Sequence, residues 1–138
     1  MEQPRVTPFL SNRLVIILPA ANPAALMHLQ DLAKPGLKLV LAAEEVPAGN
    51  YARQTLEMMD SAFGQGFRDL VLANVVSNED NVKQVVAKVQ LAEADAGIVY
   101  ASDAVAAPDL KSLEIPEEFN VVATYPIAML KNSALPAM

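Results

Sequence analysis

Residues 77–100, SNEDNVKQVVAKVQLAEADAGIVY, read as a capped helix, a tight connection and a buried strand that ends on a phenol. Ser77 and Asn78 are good N-cap residues. Glu79 and Asp80 place negative charge where a helix dipole favours it, and Val82, Val85, Val86 and Val89 recur at helical spacing. Valine costs about 0.5 kcal/mol against alanine inside a helix, so this helix is expected to be held by packing on a sheet rather than by propensity. Ala96-Gly97-Ile98-Val99-Tyr100 then predicts a strand that is apolar on both faces, as in a parallel sheet.

Working outward, residues 13–19 (RLVIILP) predict a strand stopped by Pro19. Asn22-Pro23 predicts a helix cap with proline at the first helical position, and a short helix follows through Leu26, Leu29 and Leu32. Lys34-Pro35-Gly36 ends it, and residues 37–43 (LKLVLAA) form the next strand. Pro47-Ala48-Gly49 opens an amphipathic helix over residues 50–62, with Tyr51, Leu56 and Met59 facing inward. Gly64 and Gly66 break that helix, and residues 67–75 fit either a short helix or a strand. Beyond Tyr100, residues 102–108 are a small-residue connection or one helical turn. Residues 110–115 (LKSLEI) alternate like an exposed strand, and residues 121–130 (VVATYPIAML) form a last extended run that Pro126 assigns to an edge or a bend. Alternating strands and helices of these lengths predict a three-layer α/β fold with a mostly parallel central sheet. Residues 1–12 read as a lead-in, 13–130 as one body and 131–138 as a tail.

The 138 residues suit a single domain with a real core. A hydrophobic fraction of 53% exceeds what buried strands alone require, so part of the surface is expected to be covered by something else. No apolar run approaches the ~18 residues of a membrane helix. A formal charge of −6, with the basic residues scattered, provides no stripe for a phosphate backbone, so nucleic acid is not an expected partner. Without cysteine there are no disulfides, thiolate metal sites or thiol nucleophiles. The leading MEQPRVTPFL has no apolar core of the kind a signal peptide carries, so none is expected in this chain. His28, the single histidine, has no serine or carboxylate near it in a catalytic pattern. Phosphate-loop, dinucleotide, nucleophile-elbow and zinc-protease motifs do not occur. The pairs Glu44-Glu45, Glu79-Asp80 and Glu117-Glu118 read as solvated turn and cap residues rather than as metal ligands or an acid–base pair. Neither an enzyme nor a metal or cofactor site is expected.

In an open α/β sheet, ligands collect beyond the carboxyl ends of the strands, where helix N-termini also point. Two such openings are expected, one at Ala48-Gly49 and one at residues 80–82, each with unsatisfied N–H groups and a partial positive charge that suits an anion. Gly49 has no Cβ and would let a ligand approach its backbone, and Ala48 presents an N–H beside a very small side chain. Only the backbone of Val82 can serve. Tyr100 can aim a hydroxyl into the same space. Each feature has a commoner structural meaning when taken alone: a punctuating turn, a first core valine, a tyrosine with a satisfied hydroxyl.

Together the stretches NRLVIILPAANPA (12–24), KLVLAAEEVPAGNYAR (38–53), VVSNEDNVKQVVAKVQLAEADAGIVYASDA (75–104) and VATYPIAMLK (122–131) resemble the periplasmic molybdate-binding proteins of ABC importers. The resemblance covers nearly the whole chain. It implies a type II periplasmic binding fold of two α/β lobes that close on one tetrahedral oxyanion, molybdate or tungstate. It also implies that this chain is the second lobe only, with terminal hinge strands at residues 13–19 and 122–130, and that the stretches building the first lobe are missing. By the same resemblance the lobe's donors are the backbone N–H groups of Ala48 and Val82 and the hydroxyl of Tyr100, with Pro47, Gly49 and Asn81 supporting them. The implied partners are the oxyanion, the first lobe and an ABC permease, in a periplasmic or extracytoplasmic setting. Two other readings stay open, a ligand-sensing regulatory module and a non-binding lobe that covers its apolar surface by forming a homo-oligomer.

Overall fold

The computed structural model describes residues 13–116 and 118–120. Strand β1 (Leu14–Leu18) is followed by a 3₁₀ turn (Leu29–Ala33) and strand β2 (Leu39–Ala42). Helices α1 (Pro47–Phe63) and α2 (Phe67–Ala73) lead to β3 (Val75–Glu79), and α3 (Val82–Gln90) leads to β4 (Ala96–Tyr100). The short α4 (Ala101–Val105) and β5 (Lys111–Glu114) complete the described fold.

The strands form one sheet in the order β3-β2-β4-β1-β5. β2 pairs in parallel with β3 and β4, whereas β1 pairs antiparallel with both β4 and β5. Four strands therefore share a direction and β1 alone opposes them, so the expectation of a mostly parallel sheet holds only in part. The cause is in the connections. β2, β3 and β4 are joined by helical crossovers, which return the chain to the same edge and make parallel pairs, while β1 is threaded between β4 and β5 from the other end.

Both faces of the sheet are covered, which explains why LVIIL and LVLA are buried throughout. Leu14, Ile16, Leu39, Leu41 and Ile98 face a core with Leu56 and Met59 of α1 and Val71 of α2. Val15, Ile17, Val40 and Val99 face a second core with Val85 and Val89 of α3. The valine stripe is thus what seats α3. Gly97 sits beneath it, where a Cβ would come within 2.7 Å of Val85 Cγ1 and 3.2 Å of Val89 Cγ2.

Two local readings are corrected. Residues 23–28 are not helical: Asn22 adopts a positive φ of 46° and clips the loop, its side chain accepting from Leu26 N and donating to Leu26 O, each at 3.0 Å. Ser77 and Asn78 are not caps but lie in β3, paired with Val40 and Leu41. The cap of α3 is Asn81, whose Oδ1 accepts from Gln84 N at 3.0 Å. The ambiguous segment resolves into α2 followed by the start of β3. The lead-in, the extended run at 121–130 and the tail lie outside the described residues.

The contact at Gly97 predicts that Gly97→Ala lowers stability by about 1–3 kcal/mol in denaturant unfolding, through overpacking against α3. Adding Val85→Ala relieves the clash, so the double variant should lose less than the sum of the single losses. Additive losses would show that α3 does not rest on Gly97.

Candidate functional site

The first turn of α1 follows β2 directly. Its N-cap, Val46, has extended backbone and no side-chain cap, and proline stands at the helix start. Proline brings no N–H, so the unsatisfied donors of the first turn are those of Ala48 and Gly49; the next amide, Asn50 N, bonds Val46 O at 2.9 Å. Ala48 is 2% exposed, its methyl packed into the second core. Gly49 serves differently from the sequence expectation. A Cβ there would lie 2.1 Å from Ala43 O and 2.3 Å from Ala42 O, so the glycine lets α1 seat on the end of β2 rather than leaving room for a ligand.

α3 opens after β3 in a comparable way. Asn81 caps the turn by accepting from Gln84 N, and the amides of Val82 and Lys83 are the first-turn donors this cap does not take up. The Val82 side chain is half-buried against the second core. Tyr100 ends β4, half-buried and packed against both cores. Its N–H donates to Asp103 Oδ2 at 3.1 Å, and Ala101 N donates to Arg13 O at 2.7 Å.

The register of the sheet brings these pieces to one edge. Ala42 is level with Glu79, and Leu14 is level with Tyr100, so the ends of β2, β3 and β4 and the start of β1 share that edge. Ala48, Val82 and Tyr100 all pack on the same core cluster. The edge includes the switch point between β2, whose connection runs toward β3, and β4, whose connection runs toward β5.

Electrostatics tie the same elements together. Burial raises the pKa of the Tyr100 phenol above 10.0, and the neighbouring Tyr51 phenol of α1 and Asp103 carboxylate of α4 add to the effect. Burial likewise raises the Asp103 carboxyl, opposed by the Tyr100 N–H and by Lys83 in the first turn of α3. Tyr100 therefore remains a neutral hydroxyl donor across physiological pH. Lys83 and Asp103 flank the expected donors but were not singled out from sequence; the spacing from Tyr100 to Asp103 is the signal that could have exposed the latter.

Arg53 is a further residue that sequence reasoning passed over. Its Nη1 donates to Ala42 O at 3.0 Å and to Gly49 O at 2.8 Å, and its Nη2 donates to Asn78 Oδ1 at 2.7 Å. Glu79 is also not a helix cap: it is 8% exposed and accepts from Ser77 Oγ, with Lys88 Nζ at 3.5 Å. Among the described residues no group of three or more histidine, cysteine, aspartate or glutamate side chains is arranged to hold a metal. Among the described residues, surface clefts of about 460 Å³ beside Asp60 and Gly64 and about 260 Å³ beside His28 and Leu113 lie elsewhere.

Comparison with known proteins shows what the chain as a whole is similar to. Residues 1–138 match the family described as bacterial extracellular solute-binding protein. The chain is 37% identical over 133 residues to the molybdate-binding protein ModA of Mycobacterium tuberculosis, which spans 96% of this chain and 47% of that protein. It is 32% identical over 129 residues to ModA of Escherichia coli, covering 88% of this chain and 48% of that one. The solved substrate-binding domain of a putative molybdenum ABC transporter from Clostridium difficile superposes with a TM-score of 0.67 at 30% identity, over 81% of this chain and 46% of that structure. The chain thus spans about half the length of the curated relatives it matches.

Two predictions follow from the site's chemistry. Asn81→Ala should cost about 1 kcal/mol in unfolding and speed hydrogen exchange at Gln84 N, because that amide loses its acceptor; unchanged exchange would contradict the cap. The raised Tyr100 pKa means that the folded state holds this proton more tightly than the unfolded chain, so its contribution is full below pH 10.0 and is lost as pH rises through the folded value. Phenolate absorbance should show a late-titrating tyrosine that Tyr100→Phe removes; a late phase that survives the substitution would contradict the assignment.

Proposed function

The chain belongs to the bacterial extracellular solute-binding protein family, and we propose that it is one lobe of a molybdate or tungstate receptor serving an ABC importer. In this reading residues 13–130 are the lobe, 1–12 a hinge segment and 131–138 a tail. The anion is held by the N–H groups of Ala48 and Val82 and by the Tyr100 hydroxyl, with Pro47, Gly49 and Asn81 shaping the two helix openings.

The observation that carries the reading is the gathering of two helix starts with unpaired first-turn amides and one strand-end phenol at the end of the sheet that holds the β2/β4 switch point. A tetrahedral dianion needs several donors but no counter-charge, and helix N-termini supply both N–H groups and positive potential. The hydroxyl of Tyr100 adds a third neutral donor. Relatives named as molybdate-binding proteins support the same ligand.

The path of the chain supports a second body. Arg13 and Asn120 lie at the same edge as the donors: Asn120 Oδ1 accepts from Leu14 N at 3.2 Å, and its Nδ2 donates to Leu14 O at 2.8 Å. In this reading a first lobe joined through Arg13 and Asn120 would stand beside the site and close over the anion. An extracytoplasmic setting and a permease partner follow from the same reading.

Three charge-assisted bonds at about 1.5–3 kcal/mol each barely exceed the cost of immobilising the anion, so the 138 residues alone should bind it no more tightly than about 1 μM. Calorimetry with molybdate, tungstate and sulfate checks this, and Tyr100→Phe should weaken whatever binding is seen by about tenfold. Submicromolar affinity would refute the half-site, and binding indifferent to Tyr100→Phe would refute the donor set.

A further inference from the structure

We propose that Arg53 is the positioning residue of this anion site, setting the amides of Ala48 and Val82 in register before the ligand arrives; the inference rests on the reading of those amides as donors. Arg53 lies one turn beyond Ala48 on α1, and its guanidinium bonds three separate elements: Ala42 O at the end of β2, Gly49 O in the first turn of α1, and Asn78 Oδ1 on β3. Asn78 stands three residues before the Asn81 cap, so one planar group links the start of α1 to the strand that delivers α3.

The backbone alone gives this link little precision. β2 and β3 pair with a register shift between Leu39 and Val40, and β3 is an edge strand with nothing on its far side among the described residues. A rigid fork with donors in fixed directions can correct for that, and a lysine with one donor centre cannot. All three acceptors are neutral oxygens, so the guanidinium keeps its charge beside the strand ends and adds to the potential that favours a dianion. Orienting donors in advance lowers the ordering cost of binding, which matters most where few donors are available.

The test uses the isotopically labelled 138-residue chain, with amide chemical shifts followed during titration with sodium molybdate. Variants are Arg53→Met, Arg53→Lys and, as a charge control at the opposite edge of the sheet, Lys111→Met. Arg53→Met should shift the ligand-free amides of both Ala48 and Val82 and raise the molybdate dissociation constant by about tenfold or more. Arg53→Lys should recover little of this and Lys111→Met should match the parent, while exchange protection at Ile16 and Ile98 stays at the parent level in all variants. Unmoved Val82, full recovery by lysine, or equal loss of protection at Ile16 and Ile98 would overturn the inference. If molybdate moves no amide of the parent chain, the anion-site reading fails, and the paired ligand-free shifts at Ala48 and Val82 still decide whether Arg53 couples the two openings.

Discussion

One reversed strand sets the plan of this molecule. β1 is buried along its whole length and pairs with β4 on one side and β5 on the other, against the direction of both. Its start is therefore level with the carboxyl ends of the parallel strands, and Leu14 sits across from Tyr100. The Asn120 side chain then bonds both backbone groups of Leu14, pinning the outgoing chain beside the incoming one. Had β1 run parallel to its neighbours, the chain would have entered at the far edge, remote from the helix openings. The reversal brings Arg13 and Asn120 to the same edge as the first turns of α1 and α3 and the ring of Tyr100.

Close packing at two glycines does the local work. At Gly49 the helix meets the carbonyls that end β2, and at Gly97 the strand meets the valines of α3. Neither contact tolerates a Cβ at its present spacing, so both helices lie nearer the sheet than ordinary side chains permit. Their first turns consequently lie close to the ends of β2 and β3. Against the net charge of −6, this edge gathers local positive charge, from the two helix starts and from Arg53 and Lys83.

Much of this was readable from sequence where the signal is local. The apolar runs at 14–18 and 96–100 and the valine spacing of α3 depend on burial periodicity, which is written in the residues themselves. Proline at the start of α1 marked its opening. The cap of α3 was misplaced because Asn78 and Asn81 have equal intrinsic capping ability, and pairing of Asn78 with Leu41 decides between them. The direction of β1 was hidden for a similar reason, since a strand buried on both faces looks the same whichever way it runs. Arg53 could not have been singled out, its partner on β3 being 25 residues away. Gly49 was read as space for a ligand because the sequence does not reveal the carbonyls already filling that space.

The central claim is that the Ala48 and Val82 amides and the Tyr100 hydroxyl face one volume fit for a tetrahedral dianion. Crystals soaked in tungstate test it most directly, because anomalous scattering locates the metal atom independently of the protein density. The account predicts one tungstate at the β2/β4 switch point, its oxygens within hydrogen-bond distance of all three donors. Tungstate bound elsewhere, or three donors diverging from any shared centre, would contradict it.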